Sequence, residues 1–108
     1  MMPYFPAAKI DEIPIGSAKS VEIGRFEIAL YRLNGTVYAT SNVCPHQGAS
    51  LADGELQGKE IICPWHHWCF NVTDGVSPLN PKLKVKIYPV KIEGDQVSIQ
   101  LPDEYDGP

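Results

Sequence analysis

The apolar positions of the chain fall into short runs. Val21 to Ile23, Phe26 to Leu33 and Thr36 to Thr40 are rich in β-branched and aromatic residues, with only Gly24-Arg25 and Asn34-Gly35 between them. Asn-Gly between two such runs is a strong hairpin signal, because both residues tolerate the positive φ of a type I′ turn. Further runs cover Glu60 to Cys63, Trp68 to Val72, Leu83 to Val90 and Gln96 to Leu101. They are cut by Asp53-Gly54, Gly58, Asp74-Gly75 and Glu93-Gly94-Asp95. Nowhere does a 3.6-residue period persist for the roughly ten residues a helix needs. Ten prolines, Pro78 and Pro81 among them, disfavour a helix further. The pattern predicts an all-β chain of about ten short strands, built as a small sandwich or barrel.

A length of 108 residues suits one domain, 1–108, with a modest core, and an apolar fraction of 44% excludes a disordered chain. No stretch approaches the ~18 apolar residues of a membrane span. The start, MMPYFPAAKIDEIPIG, lacks the basic and unbroken apolar regions of a signal peptide, so a cytoplasmic location is expected. A net charge of -4 repels phosphate backbones and argues against a nucleic-acid partner. Three cysteines is an odd count, and two of them lie beside histidines. In a reducing compartment that combination reads as metal binding, not as a disulfide framework. The triplets Asn34-Gly35-Thr36 and Asn71-Val72-Thr73 are then chance matches to a glycosylation signal.

The candidate chemistry lies in an internal echo. Cys44-Pro45-His46 and Cys63-Pro64-Trp65-His66 each follow a short β run and each carry one thiol and one imidazole, with sixteen residues between His46 and Cys63. Donors two or three positions apart can bind from one turn without backbone strain. The proline after each cysteine stiffens its loop and lowers the entropy lost on ligation. Gly48 lets the first loop's backbone come close to whatever is bound. The stretch from about Asn42 to Asn80 therefore reads as an inserted metal-binding lobe, on a base formed by the strands before and after it. Two metals suit two thiolates and two imidazoles: a single tetrahedral zinc, or a [2Fe–2S] cluster with the cysteines on one iron and the histidines on the other.

The spacing C-P-H-x16-C-P-x-H, within CPHQGA…CPWHxWxF…DG, resembles the signature of the Rieske family, and the likeness extends loosely over nearly the whole chain. The resemblance implies a Rieske-like all-β fold with an inserted cluster-binding lobe at about 42–80. It implies a [2Fe–2S] cofactor held by Cys44 and Cys63 on the inner iron and by His46 and His66 on the outer, exposed iron. Phe70 would pack under the second loop, and Ser77-Pro78-Leu79-Asn80-Pro81 would form a third loop over the cluster. High-potential relatives carry an extra cysteine in each loop, joined as a disulfide. Here Ala49 and Trp65 occupy those positions, and Trp68 stands where that branch has a serine donating to a cluster sulfur. Losing such a donor lowers the potential, which places the protein near the low end of the Rieske range.

The remaining residues have plainer readings. His67 is expected to be an ordinary loop residue, and Cys69 a bystander on the strand face opposite Trp68 and Phe70. Trp65 is the candidate partner contact and Trp68 the lid. Lys82, Lys84 and Lys86 alternate with Leu83, Val85 and Ile87 as the solvated face of a strand, and Asp103 to Asp106 is a solvated tail. No catalytic acid, base or nucleophile is recognisable. Three functions follow as expectations. The first is a ferredoxin that passes electrons from an NAD(P)H-linked flavin reductase to a terminal oxygenase. The second is the small subunit of an NADH-dependent assimilatory nitrite reductase, partnered by its large subunit. The third is a zinc-stabilised binding module.

Overall fold

The computed structural model describes residues 4–24, 26–33, 35–43, 50–64, 69–78 and 82–101. Among these lie ten strands and two short 3-10 turns, Ile10–Glu12 and Leu51–Asp53. The strands are β1 (Tyr4–Lys9), β2 (Ala18–Ile23), β3 (Phe26–Leu33), β4 (Thr36–Ser41), β5 (Glu55–Gln57), β6 (Glu60–Ile62), β7 (Cys69–Asn71), β8 (Ile87–Tyr88), β9 (Val90–Glu93) and β10 (Gln96–Gln100). They form three antiparallel sheets of order β1-β10-β9, β2-β3-β4-β8 and β5-β6-β7. The all-β expectation holds. No helix among the described residues is long and apolar enough to cross a membrane.

β3 lies inside its sheet and is covered on both faces. Successive side chains of a strand point to opposite faces. Ile28 and Leu30 accordingly join the core with Val37, Ala39, Val97, Ile99 and Leu101, against the β1-β10-β9 sheet. Ala29 and Tyr31 join a second core with Leu51, Ile61, Cys63, Phe70, Val72 and Val85. A strand buried on both faces reads as a continuous apolar run and not as an alternation, as Ile28-Ala29-Leu30 does. The β5-β6-β7 sheet, made wholly from residues 55–71, sits on this second core.

The hairpins are tight. Leu33 pairs with Thr36 across Asn34-Gly35, as the turn signal requires, although Asn34 itself is outside the described residues. Gln57 pairs with Glu60 across Gly58-Lys59, with Gly58 at φ 60°. That value fits the primed turns that match strand twist. β4 and β8 pair as Ala39↔Tyr88 and Thr40↔Ile87, so the strands before and after residues 42–85 do join.

Two segments differ from the pattern reading. Leu83 to Val90 is not one strand: Lys84 bridges Val76, β8 holds two residues, and Pro89 separates it from β9 in another sheet. Pro89 has no N–H to offer the ladder, and its carbonyl accepts instead from Gln100 N at 3.0 Å. The lysines keep the expected exposure, since Lys82, Lys84 and Lys86 all face solvent. β1 was not anticipated, because Pro6 interrupts it and its register slips between Pro6 and Ala8. Because Leu30 fills the base core with no exposed surface, Leu30→Ala is expected to cost about 2–5 kcal/mol, read as a lower denaturation midpoint.

Candidate metal centre

Both donor-bearing segments are six residues long, and each is closed by a pair of stem residues. Val43 and Ser50 form an antiparallel bridge around 44–49, and Ile62 pairs with Cys69 around 63–68. In both, a cysteine follows the first stem residue: Cys44 after Val43, Cys63 after Ile62. Cys44, His46 and His66 lie outside the described residues, as do Ala49, Trp65, His67, Trp68 and the 79–81 part of the third segment. Cys63 is the one predicted donor that is described. It is fully buried at the end of β6 while Pro64, next to it, is exposed, so the chain leaves the core at this thiol.

Three stems rest on one core. Leu51 follows the first segment, Ile61 precedes the second and Cys63 opens it, Phe70 and Val72 follow it, and Val85 follows the third, all in the cluster that includes Ala29 and Tyr31. The first exit and the second entry also touch through Gly54, where a Cβ would collide with the Ile62 carbonyl oxygen. Only glycine permits this approach. The third segment is closed by the Val76–Lys84 bridge and by Ser77 N donating to Leu83 O at 3.0 Å, with Ser77 buried. Phe70 is fully buried in the same cluster as Cys63 and pairs with Ile61.

The stem of the first segment is held by side chains more than by a ladder. Asn42 is buried; its Nδ2 donates to Ser50 Oγ at 2.9 Å and its Oδ1 accepts from Ala52 N at 2.9 Å. Its backbone N donates to Glu27 O and its carbonyl accepts from Leu51 N, both at 2.8 Å. Two residues earlier, Thr40 Oγ1 donates to Ser41 O at 2.9 Å. The Tyr31 hydroxyl is therefore the donor in its 2.8 Å bond to Thr40 Oγ1. Burial pushes the Tyr31 phenol well up from its ordinary range, so it stays a neutral donor. Neither Asn42 nor Gly54 was singled out by the sequence reading for these roles. The available signal was a polar residue closing an apolar strand two positions before a donor.

The donor set fits a cluster of the two-cysteine, two-histidine type. Among the described residues, Cys63 is buried on the core that also anchors the residues after the first segment, and two thiolates with two imidazoles are the ligand types of a Rieske cluster. Cys69 differs from it. It is half-buried on β7, and its thiol is pushed up from 9.0, first by burial and then by the Glu60 carboxylate. A thiol held protonated at neutral pH is a poor ligand and a poor nucleophile, which agrees with the bystander reading. Because the folded pKa is raised, this group's stabilisation is complete below the free thiol's pKa and is lost as pH rises through the folded value. Alkylation of the cluster-loaded protein is accordingly expected to label Cys69 alone, with a pH midpoint above 9.

Comparison with known proteins identifies the family. The Rieske [2Fe-2S] domain profile matches residues 4–89. The ferredoxin component of naphthalene 1,2-dioxygenase/salicylate 5-hydroxylase systems from a Ralstonia species is 42% identical over 99 residues, 91% of this chain and 95% of that protein. A chain in a complex of reduced oxygenase and oxidised ferredoxin of carbazole 1,9a-dioxygenase superposes with a TM-score of 0.83 at 27% identity. That match covers 93% of this chain and 94% of the other. A Mycobacterium tuberculosis protein described as an NADH-dependent nitrite reductase small subunit shares the fold, with a TM-score of 0.87 at 23% identity over 94% of this chain and 97% of its own. These matches favour two irons over a single zinc. The chain belongs to the Rieske [2Fe-2S] domain family, and its cofactor is a Rieske-type [2Fe–2S] cluster.

Proposed function

We propose that the protein is a one-electron carrier, the ferredoxin component that takes electrons from an NAD(P)H-linked flavin reductase and delivers them to a terminal oxygenase. The observation that carries this reading is the single core beneath both donor-bearing stems, from which Cys63 emerges. The near full-length likeness to a ferredoxin component of dioxygenase systems supports it. Cys44 and Cys63 would hold one iron, and His46 and His66 the other, within a cluster-binding lobe at about 42–80. When bound, the cluster supplies reversible one-electron chemistry. The protein's own part is to hold the donors and to exclude water on the core side through Leu51, Ile61 and Phe70. It acts as an electron-transfer component of a larger oxidoreductase system in the cytoplasm, not as a catalyst alone. Membership of a nitrite reductase is the weaker reading, because the likeness to such a subunit rests on fold at 23% identity.

Purified protein is expected to be red-brown and, once reduced, to give a rhombic EPR signal averaging below the free-electron g value. A colourless protein with one equivalent of zinc overturns the reading. His46→Ala and His66→Ala should each abolish the signal, whereas His67→Ala should retain it; loss in His67→Ala would show that the ligand register is wrong. With Trp65 and Trp68 replacing the extra cysteine and the serine donor, voltammetry should place the potential nearer about -150 mV than +300 mV.

A further inference from the structure

The two donor-bearing segments are closed by different means. The second is the loop of a regular hairpin, β6–β7, whose ladder runs Ile62↔Cys69, Ile61↔Phe70 and Glu60↔Asn71. The first has no such ladder, because its stem pair is the isolated bridge Val43↔Ser50. Beside the single backbone bond from Leu51 N to Asn42 O, one side chain spans the gap. Asn42 Nδ2 reaches Ser50 Oγ and Oδ1 takes the Ala52 N–H, while the Asn42 backbone bonds Glu27 O on one side and Leu51 N on the other. The amide orientation follows from chemistry, since Ala52 N–H can only donate and the atom facing it must be the oxygen. All four polar groups of Asn42 are thus used inside the protein, and three of their partners, Ser50, Leu51 and Ala52, lie immediately after the segment. Their position also governs the second segment, since Leu51 and Cys63 share a core and Gly54 lies against the Ile62 carbonyl.

We infer that Asn42 is the positioning residue for the first ligand loop: it clamps residues 50–52 to the end of β4 and so fixes the two ends between which that loop is strung. This rests on the proposed cluster ligation. Retention of a metal centre depends strongly on the hydrogen bonds that fix its ligands' backbone. Asn42→Ala deletes both side-chain bonds and leaves the half-buried Ala52 N–H without its acceptor. Asn42→Asp restores both, since one carboxylate oxygen accepts from Ala52 N and the Ser50 hydroxyl turns to donate to the other.

The test is the rate at which visible absorbance bleaches when the loaded protein meets excess iron chelator, at a temperature below every variant's melting midpoint. Asn42→Ala should bleach roughly tenfold faster than the parent, and Asn42→Asp should return close to the parental rate. Val97→Ala, in the base core, is expected to lower the melting midpoint while bleaching at the parental rate. Ser50→Ala, which removes only the Nδ2 partner, should fall between the parent and Asn42→Ala, and decides the matter if Asn42→Ala does not fold. Parental bleaching in both Asn42→Ala and Ser50→Ala overturns the inference, as does Asn42→Asp bleaching as fast as Asn42→Ala. Equal acceleration in Val97→Ala at the same loss of melting midpoint reduces Asn42 to general stability and overturns it too. These outcomes leave the proposed function standing, whereas a parent that purifies colourless overturns both.

Discussion

β3 is the strand on which the rest of the molecule depends, because it is apolar on both faces and must be covered twice. Ile28 and Leu30 call for one layer and Ala29 and Tyr31 for another. At about 25 cal/mol per Å² of apolar surface removed from water, leaving either face bare would be costly for a chain of this size. The β1-β10-β9 sheet covers the first face, and the β5-β6-β7 sheet with its flanking segments covers the second. The lobe is therefore not a loop decorating a finished barrel. It is the layer that completes the burial of Ala29 and Tyr31.

That arrangement explains how a small chain brings the ends of distant segments onto one core. The residues that cover the second face of β3 are the stem residues of the donor segments: Leu51, Ile61, Cys63, Phe70 and Val72. Hydrophobic burial is non-directional and only gathers the stems. Directional contacts then set their relation. These are the Asn42 bonds, the Gly54 approach to Ile62 and the bonds that run from the Tyr31 hydroxyl through Thr40 Oγ1 to the Ser41 carbonyl. Cys63 is at once a core side chain and the first donor of its segment.

Much of this was legible in the residues. The dipeptide Asn34-Gly35 marked a hairpin, and Glu93-Gly94-Asp95 a break between strands, through local backbone preference, which short windows report well. The Cys-Pro-His echo pointed to the family and its cofactor, because metal-ligand spacing is local too. What escaped were effects set by partners far along the chain. β1 was hidden by Pro6 and becomes a strand only through β10. The Leu83–Val90 run has strand-like alternation, yet Pro89 and the demands of two sheets split it. Asn42 reads as a turn residue in isolation, and its value appears only when Ser50 and Ala52 are folded back against it.

The pairing of β1 has a consequence for how the chain reaches this state. β5, β6 and β7 close over short local connections, but Tyr4 meets Gln100 across 96 intervening steps (100 − 4), and β1 has no other sheet neighbour. Closing so long a loop carries a larger entropy cost than any hairpin in the molecule, and contacts of such sequence separation slow folding. On the ribosome, the first strand to be made waits for the last. Until β10 exists, the base has an unfilled edge beside β9, whereas the residues that carry the metal donors already have every local partner they use.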